Sequence, residues 1–421
     1  MVLFYLNDVA VWPKNNVTRN RYLLSCFLLL AGAGIPGKSY AVASPDDTFK
    51  PYVASTLLYD SNFLRQSDNS APIAGNSDKS DFIKQVKAGF DMVWTISRQH
   101  IIVKANANQN WFQNFSPLDY TGWDTQAEWD WQMGNNLNGE IGYSNIQTLS
   151  SFGQLNSLVG NLLNSQRSFA EAGYLFHPNG KIKLGWFRTE NQFDSAARQF
   201  SNNIEDNAEL NLQYLSPTGS IFGVRVLATD GQYPQRQLTP GNTLDTAYTR
   251  MNYSVTGDWH ATSKTRVDGL VGYTQQFYEH FSFRDFADIT AQLNLNWQAT
   301  DKTLLELSAR RLISQADNLF SSFYLTQGVW FNATWQATPK MTLGLPMSYQ
   351  QQHYDLGGAS TNIVGFAQTK DNVSNVGLNL MYYPVQSISI GPVLNYEKRD
   401  SNSLLRAYET KSAGINLQAA F

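Results

Sequence analysis

The feature that most constrains this chain is a period of two that keeps returning along it. From Val86 to Trp94 one row is Val86, Ala88, Phe90, Met92 and Trp94, and the interleaved row is Lys87, Gly89, Asp91 and Val93. Trp123, Thr125, Ala127 and Trp129 alternate in the same way with Asp124, Gln126, Glu128 and Asp130. Ala208, Leu210, Leu212 and Tyr214 oppose Asn207, Glu209, Asn211 and Gln213, while Ile289, Ala291, Leu293, Leu295 and Trp297 oppose Thr290, Gln292, Asn294 and Asn296. Successive side chains of an extended strand point to opposite faces, so each segment makes a strand with one face that avoids water and one that seeks it.

Short turns separate these segments. They fall at Ser97 to Gln99, Gly134 to Asn136, His177 to Gly180, Ser216 to Gly219 and Pro384 to Gln386. Three more share a sequence, Trp259 to Thr265, Trp297 to Thr303 and Trp335 to Met341, with their tryptophans 38 residues apart. Longer stretches rich in Ser, Asn, Asp and Gly alternate with the turns, as at Ser61 to Ser80, Thr229 to Asn242 and Asp355 to Thr369. A repeat near 40 residues also suits a β-propeller, but a blade needs four short strands and each repeat here offers about two long ones. Strands of about 9 to 14 residues match a tilted membrane crossing. The turns join sixteen strands, and an opening strand from Phe49 to Tyr59 and a closing one from Ser412 to Phe421 bring the expected number to about eighteen.

The N-terminus gives the compartment. Lys14, Arg19 and Arg21 precede an apolar run from Tyr22 to Ala33, and Ala41-Val42-Ala43 offers a small-x-small cleavage site before Ser44. The division expected is a signal peptide over 1–43 and a barrel over 44–421. Cys26, the single cysteine, lies within the segment to be removed. Leu23-Leu24-Ser25-Cys26 resembles a lipoprotein box only superficially, because the apolar run follows the cysteine. After Ala43 no stretch approaches the apolar length of a membrane helix, which leaves a secreted soluble β-protein and a barrel.

Aromatic residues make up 13% of the chain and charged residues only 15%, below the usual quarter for soluble proteins, as suits an apolar outside around a polar inside. Hydrocarbon offers no partner to backbone polar groups, so strands can cross a bilayer only as a sheet closed on itself. The expected fold is all-β: a transmembrane antiparallel up-and-down β-barrel in the bacterial outer membrane, with short periplasmic turns and longer extracellular loops. A charge at the midplane of the lipid face costs roughly 2–4 kcal/mol, so strand charges should point inward. Lys87, Asp91, Lys104, Asp124, Glu128, Glu209, Arg225, Arg250, Asp258, Arg266, Asp268, Glu306 and Arg310 are assigned to the lumen. Trp94, Trp259, Trp297, Trp335 and Tyr383 sit beside short turns and are assigned to a girdle at the membrane interface. Trp111, Phe112, Phe115, Tyr120, Tyr278 and Phe281 suggest a second girdle at the other rim. The last strand ends in the row Ile415, Leu417, Ala419 and Phe421, which resembles the C-terminal signal by which outer-membrane proteins engage their assembly machinery.

Other chemistry finds little support. A net charge of -3 gives no basic field, so no nucleic-acid partner is expected. The five histidines, His100, His177, His260, His280 and His353, are scattered without zinc spacing, and neither metal nor cofactor is expected. Ser282 with His280 and Ser348 with His353 are nominal hydrolase pairs only, and Asp124 with Glu128 reads as lumen lining. No catalytic residues are assigned, and the chain is not expected to be an enzyme.

Asp46 to Tyr52 (Asp-Asp-Thr-Phe-Lys-Pro-Tyr), followed by Tyr59-Asp-Ser-Asn-Phe-Leu-Arg65, resembles the opening of EpsL-type proteins, outer-membrane components of exosortase-associated exopolysaccharide clusters. This resemblance implies a noncatalytic conduit or accessory in exopolysaccharide biosynthesis and export. The partners it implies are outer-membrane lipid, the barrel-assembly machinery, exopolysaccharide and periplasmic export components. The residues alone equally allow a general diffusion porin or small-solute channel, and a hydrolase at the rim is a further alternative.

Overall fold

The computed structural model describes residues 48–70, 78–150, 152, 161–238, 244–315, 323–355, 369–403 and 405–421. The expected signal peptide, 1–43, lies outside them, as does most of 150–160. The strands are β1 (Phe49–Asp60), β2 (Asp81–Ile96), β3 (Gln99–Phe112), β4 (Tyr120–Met133), β5 (Leu137–Leu149) and β6 (Leu162–His177). There follow β7 (Gly180–Phe193), β8 (Asn203–Leu215), β9 (Ile221–Gln232), β10 (Ala247–Thr262), β11 (Thr265–Tyr278) and β12 (Phe286–Thr300). The last are β13 (Thr303–Gln315), β14 (Phe323–Thr338), β15 (Met341–Asp355), β16 (Thr369–Val385), β17 (Ile388–Ser401) and β18 (Tyr408–Ala420).

All 18 strands form one antiparallel sheet in which each pairs with its sequence neighbours. The sheet closes where β1 pairs with β18, from Tyr52 opposite Ala420 to Asp60 opposite Ser412. The closed antiparallel barrel of eighteen strands is thus what the period-two pattern demands. Every short turn expected from the sequence joins two strands, and both chain ends of the barrel lie on the short-turn rim. Two boundaries move. Thr229 to Gln232 belong to β9 rather than to a loop, and the closing strand begins at Tyr408, before Ser412.

The three turns of shared sequence have a shared structure. Each carries a register shift at the same place, between His260 and Thr262, Gln298 and Thr300, and Gln336 and Thr338. In each the threonine hydroxyl accepts the N–H two residues on, from Lys264 at 3.1 Å, Lys302 at 3.2 Å and Lys340 at 3.2 Å. That local bond is why Thr recurs before the lysine. At Gly134 and Gly219 the turns need φ of 61° and 84°, a left-handed conformation that glycine adopts without a Cβ clash.

The molecule is inverted relative to a soluble protein. Val255, Val271 and Leu184 are more than half exposed on the outer face, whereas Asn211, Gln276 and Arg225 are buried inside. No described helix is long and apolar enough to cross a membrane. Apolar side chains do cluster inside near the long-loop rim. Leu64, Phe112, Phe115, Leu118 and Phe152 form one cluster, and Tyr233, Tyr248 and Tyr278 form another. Phe112, Phe115 and Tyr278 are therefore interior residues under the loops, not members of an outer girdle. Trp111, next to Phe112 on β3, takes the opposite face and is exposed. Adjacent strand residues cannot share a face, so a cluster read from sequence proximity divides between the two sides.

Candidate functional site

A cavity of about 1400 Å³ occupies the interior. It reaches from Gln132, Asn135 and Gln386 at the short-turn rim to Arg65 and Glu397 near the long loops. Among the thirteen charged residues assigned to the lumen, Asp91, Asp258, Arg266, Asp268, Glu306 and Arg310 line this cavity. Lys87 shares its row on β2 with Asp91, and Lys104 stands opposite Asp91 on β3. Asp124 and Glu128 continue that inward row onto β4, opposite Asn106 and Ile102.

Glu209, Arg225 and Arg250 are on the inward row but face little open space. Arg225 lies 3.7 Å from Glu209 and donates to Ser254 at 3.1 Å and Asn252 at 3.2 Å, with both ions buried. Arg250 pairs with Glu205 at 3.0 Å, and the Tyr248 hydroxyl donates to the same carboxylate. Here the wall packs side chain against side chain and fills the barrel. The remaining charges meet either an opposite charge or a neutral partner. Arg266 grips Asp258 through two hydrogen bonds of 2.7 and 2.6 Å, and Lys183 meets Glu171. Asn294 donates to Asp268 at 2.8 Å and Asn332 to Glu306 at 2.9 Å, while Arg310 lies over the Trp330 ring at 5.5 Å.

The pairing leaves an asymmetric lumen. Charged side chains line β2 to β13, but the cavity wall from β14 round to β18 carries Asn332, Ser348, Asn375, Asn379, Asn395 and Asn416. On that side charges return only near the long-loop rim, as at Asp371, Glu397 and Arg399. Amides and hydroxyls can donate and accept, so this wall suits uncharged hydroxyl groups as well as water.

The long-loop side is roofed by buried carboxylates that the sequence reading did not single out. Arg65, in the loop after β1, turns back under a φ of 56° to bind Asp60 through two bonds of 3.1 and 2.9 Å, and Glu397 at 3.2 Å. Asp60 also accepts the Thr410 hydroxyl at 2.6 Å. Asp81, fully buried, accepts the N–H groups of Gln113, Asn114 and Phe115 at 2.8, 2.9 and 3.2 Å. Asp245, also fully buried, takes the N–H of His280 at 2.7 Å and of Phe281 at 2.8 Å, and its other oxygen meets the His280 Nδ1 at 2.9 Å. Burial works against the Asp245 charge, but the His280 ring and these backbone donors outweigh it and hold the carboxyl below its usual range. The same hydrogen bond raises the His280 pKa above its ordinary value. The only hint in sequence was an Asp next to a strand end, too common to be informative.

Trp94, Trp259, Trp297 and Trp335 are each about half exposed on the outer face beside short turns. Tyr383 is not with them. It lines the cavity, and its neighbour Tyr382 carries the exposed ring. A one-residue step along a strand reverses the face, and the Tyr-Tyr pair offered no way to choose. Phe421 is exposed, and its N–H donates to the Pro51 carbonyl at 2.9 Å. Neither nominal hydrolase pair is joined among the described residues: His280 makes its side-chain hydrogen bond to Asp245 and none to Ser282, and Ser348 and His353 are five positions apart on β15, hence on opposite faces. Among the described residues Glu128, Asp130 and Glu140 bring carboxylate oxygens within 4.8 Å of one another, a group without the His or Cys of a zinc site.

The second half of the barrel, residues 249–421, matches the family model described as "Putative beta-barrel porin 2". No curated protein matches the chain. Among solved structures it is similar to the outer membrane protein OpdK of Pseudomonas aeruginosa, at 9% identity and a TM-score of 0.46 over 89% of this chain and 99% of that one. It is also similar to OccK2 (OpdF) of Pseudomonas aeruginosa, at 10% identity and TM-score 0.47 over 89% and 98%. A third is the siderophore receptor PirA of the same organism, at 8% identity and TM-score 0.41 over 90% and 81%. The closed sheet, the apolar outer face, the polar interior and the family match define a porin-like β-barrel of the bacterial outer membrane.

Proposed function

We propose that the protein is a channel for small uncharged hydrophilic solutes rather than for ions of one sign. The observation that carries this reading is the asymmetric lumen: one wall on which acidic and basic side chains are intermixed, some of them ion-paired, facing another rich in amides and hydroxyls. Intermixed charges of both signs give little net field to attract an ion, so neither sign is strongly selected. The amide wall can exchange hydrogen bonds with water and with sugar-like hydroxyls at little net cost. Purified full-length protein in planar bilayers should conduct weakly, with a reversal potential near zero in a salt gradient, and neutral sugars should swell proteoliposomes. Absence of both conductance and swelling would overturn the reading.

The exopolysaccharide conduit implied by the EpsL-type resemblance is a second reading, favoured by the same amide wall. A polymer bound there would block sugar swelling. Loss of extracellular polymer on deletion of the gene would support this reading, and unchanged secretion would refute it.

A further inference from the structure

Two ladders stop short of the long-loop rim, β4–β5 at Trp123 opposite Gln147 and, by a longer stretch, β12–β13. Strands β12 and β13 pair from Thr300 opposite Thr303 up to Ala291 opposite Arg311, and no further. Above that rung both strands continue, β12 as Phe286 to Thr290 and β13 as Leu312 to Gln315, each paired only with its other neighbour. The edge left on β12 is capped by side chains. The Ile289 carbonyl accepts from Arg311 Nε at 3.1 Å, and the Ile289 N–H donates to Asp288 Oδ1 at 2.6 Å. Arg311 also binds Asp288 at 2.6 Å, so its side chain lies in the gap between the strands.

Two further observations say what such a seam would admit. On the outer face a polar streak leads away from it, where Arg311 donates to Gln327 at 2.9 Å and Gln327 to Gln351 at 3.0 Å. Groups of this kind on a lipid-facing wall belong at the level of lipid head groups, below which the exposed residues are Leu293, Leu307 and Val329. On the inner face the cavity reaches Gln292 and Arg310, the rung next below the seam. Consecutive arginines therefore stand on the two sides of the wall at the foot of the opening, Arg310 facing the lumen and Arg311 the lipid.

We propose that the seam between β12 and β13 is a lateral port, through which the anionic head of a membrane amphiphile reaches the lumen while its acyl tail stays in lipid. The chemistry matches on each side: guanidinium groups for a phosphate or carboxylate, a wet polar interior for the head, and an apolar outer wall for the tail. Side chains in place of a ladder make the seam separable without breaking backbone pairs.

The test is one of access and does not depend on conduction, so it stands or fails separately from the channel reading. In a full-length Cys26→Ser background, Gln292→Cys beneath the seam and Asn375→Cys four strands away on β16, at a rung paired to both neighbours, are each labelled with a fluorophore. Both positions line the cavity. The proteins are reconstituted in phosphatidylcholine vesicles containing phosphatidylethanolamine acylated on its head group with a nitroxide, which leaves that lipid anionic. Quenching is expected at position 292 and not at 375, and it should be lost when Arg310 and Arg311 are both replaced by Gln. Equal quenching at 292 and 375, or none at either, overturns the port. Quenching at 292 that survives the double arginine replacement, or is as strong with a zwitterionic nitroxide lipid, overturns the anionic head as its occupant. If the double variant does not refold, the comparison of positions 292 and 375 decides alone.

Discussion

Replacing Arg65 with alanine should release the loop after β1 from the barrel mouth. The guanidinium is buried and is shared between Asp60 and Glu397, both of them buried as well. It also donates to the Asn62 carbonyl at 2.7 Å, which fixes the loop on itself. Removing one partner of a buried ionic network leaves uncompensated charge, at a cost of about 3–5 kcal/mol. Alanine regains nothing from the backbone, because the φ of 56° at this position disfavours any residue with a Cβ. The barrel ladder does not depend on this contact, so the loss falls on the loop. Its opening should become easier by about two to four orders of magnitude. The reporters are the amides of Arg65 and Gln66, which donate to the Asn62 carbonyl at 3.0 Å and the Asn62 side chain at 2.9 Å. Hydrogen exchange at these two amides should accelerate accordingly, while that of β1 stays as it was, and single-channel conductance should rise as the roof loosens. Arg65→Lys should be intermediate, because an ammonium keeps the charge but not the fork that spans two carboxylates. Exchange in Arg65→Ala within a factor of about three of wild type would show that the network does not hold the loop.

The clasp between the loops on either side of β10 and β11 should depend on pH through His280. Its pKa is raised by Asp245, so its contribution is complete below the ordinary histidine value near 6.5 and fades as pH climbs through the raised value. Protection of the His280 and Phe281 amides relative to their intrinsic exchange at each pH should therefore fall as pH rises through that raised value, and His280→Ala should remove that dependence; protection that stays constant with pH in the wild type would contradict it. Gly391→Val should fail to assemble, because even a Cβ at this position would overlap the Leu380 carbonyl oxygen of the neighbouring strand. Loss of the heat-modifiable folded band on electrophoresis checks it, and normal folding would show that β16 can move aside.

What could be read from the residues alone was whatever a strand decides locally. The alternation at Ile289 to Trp297 fixes which side chains meet lipid, and the Thr-x-Lys turns close hairpins through bonds two residues long. Strand number followed because both signals recur. What no local pattern contains is the meeting of distant segments. Arg65 finds Glu397 across 332 positions of sequence, so the roof over the lumen was not legible. Nor was the difference between Asp258 beside the cavity and Glu209 sealed against Arg225, since both are simply acidic residues on an inward row. The choice between Tyr382 and Tyr383 and the unzipped rungs above Ala291 depend on register, which a closed sheet settles collectively. Period two specifies faces; only closure specifies neighbours, because each strand's partners are fixed when the first strand meets the last.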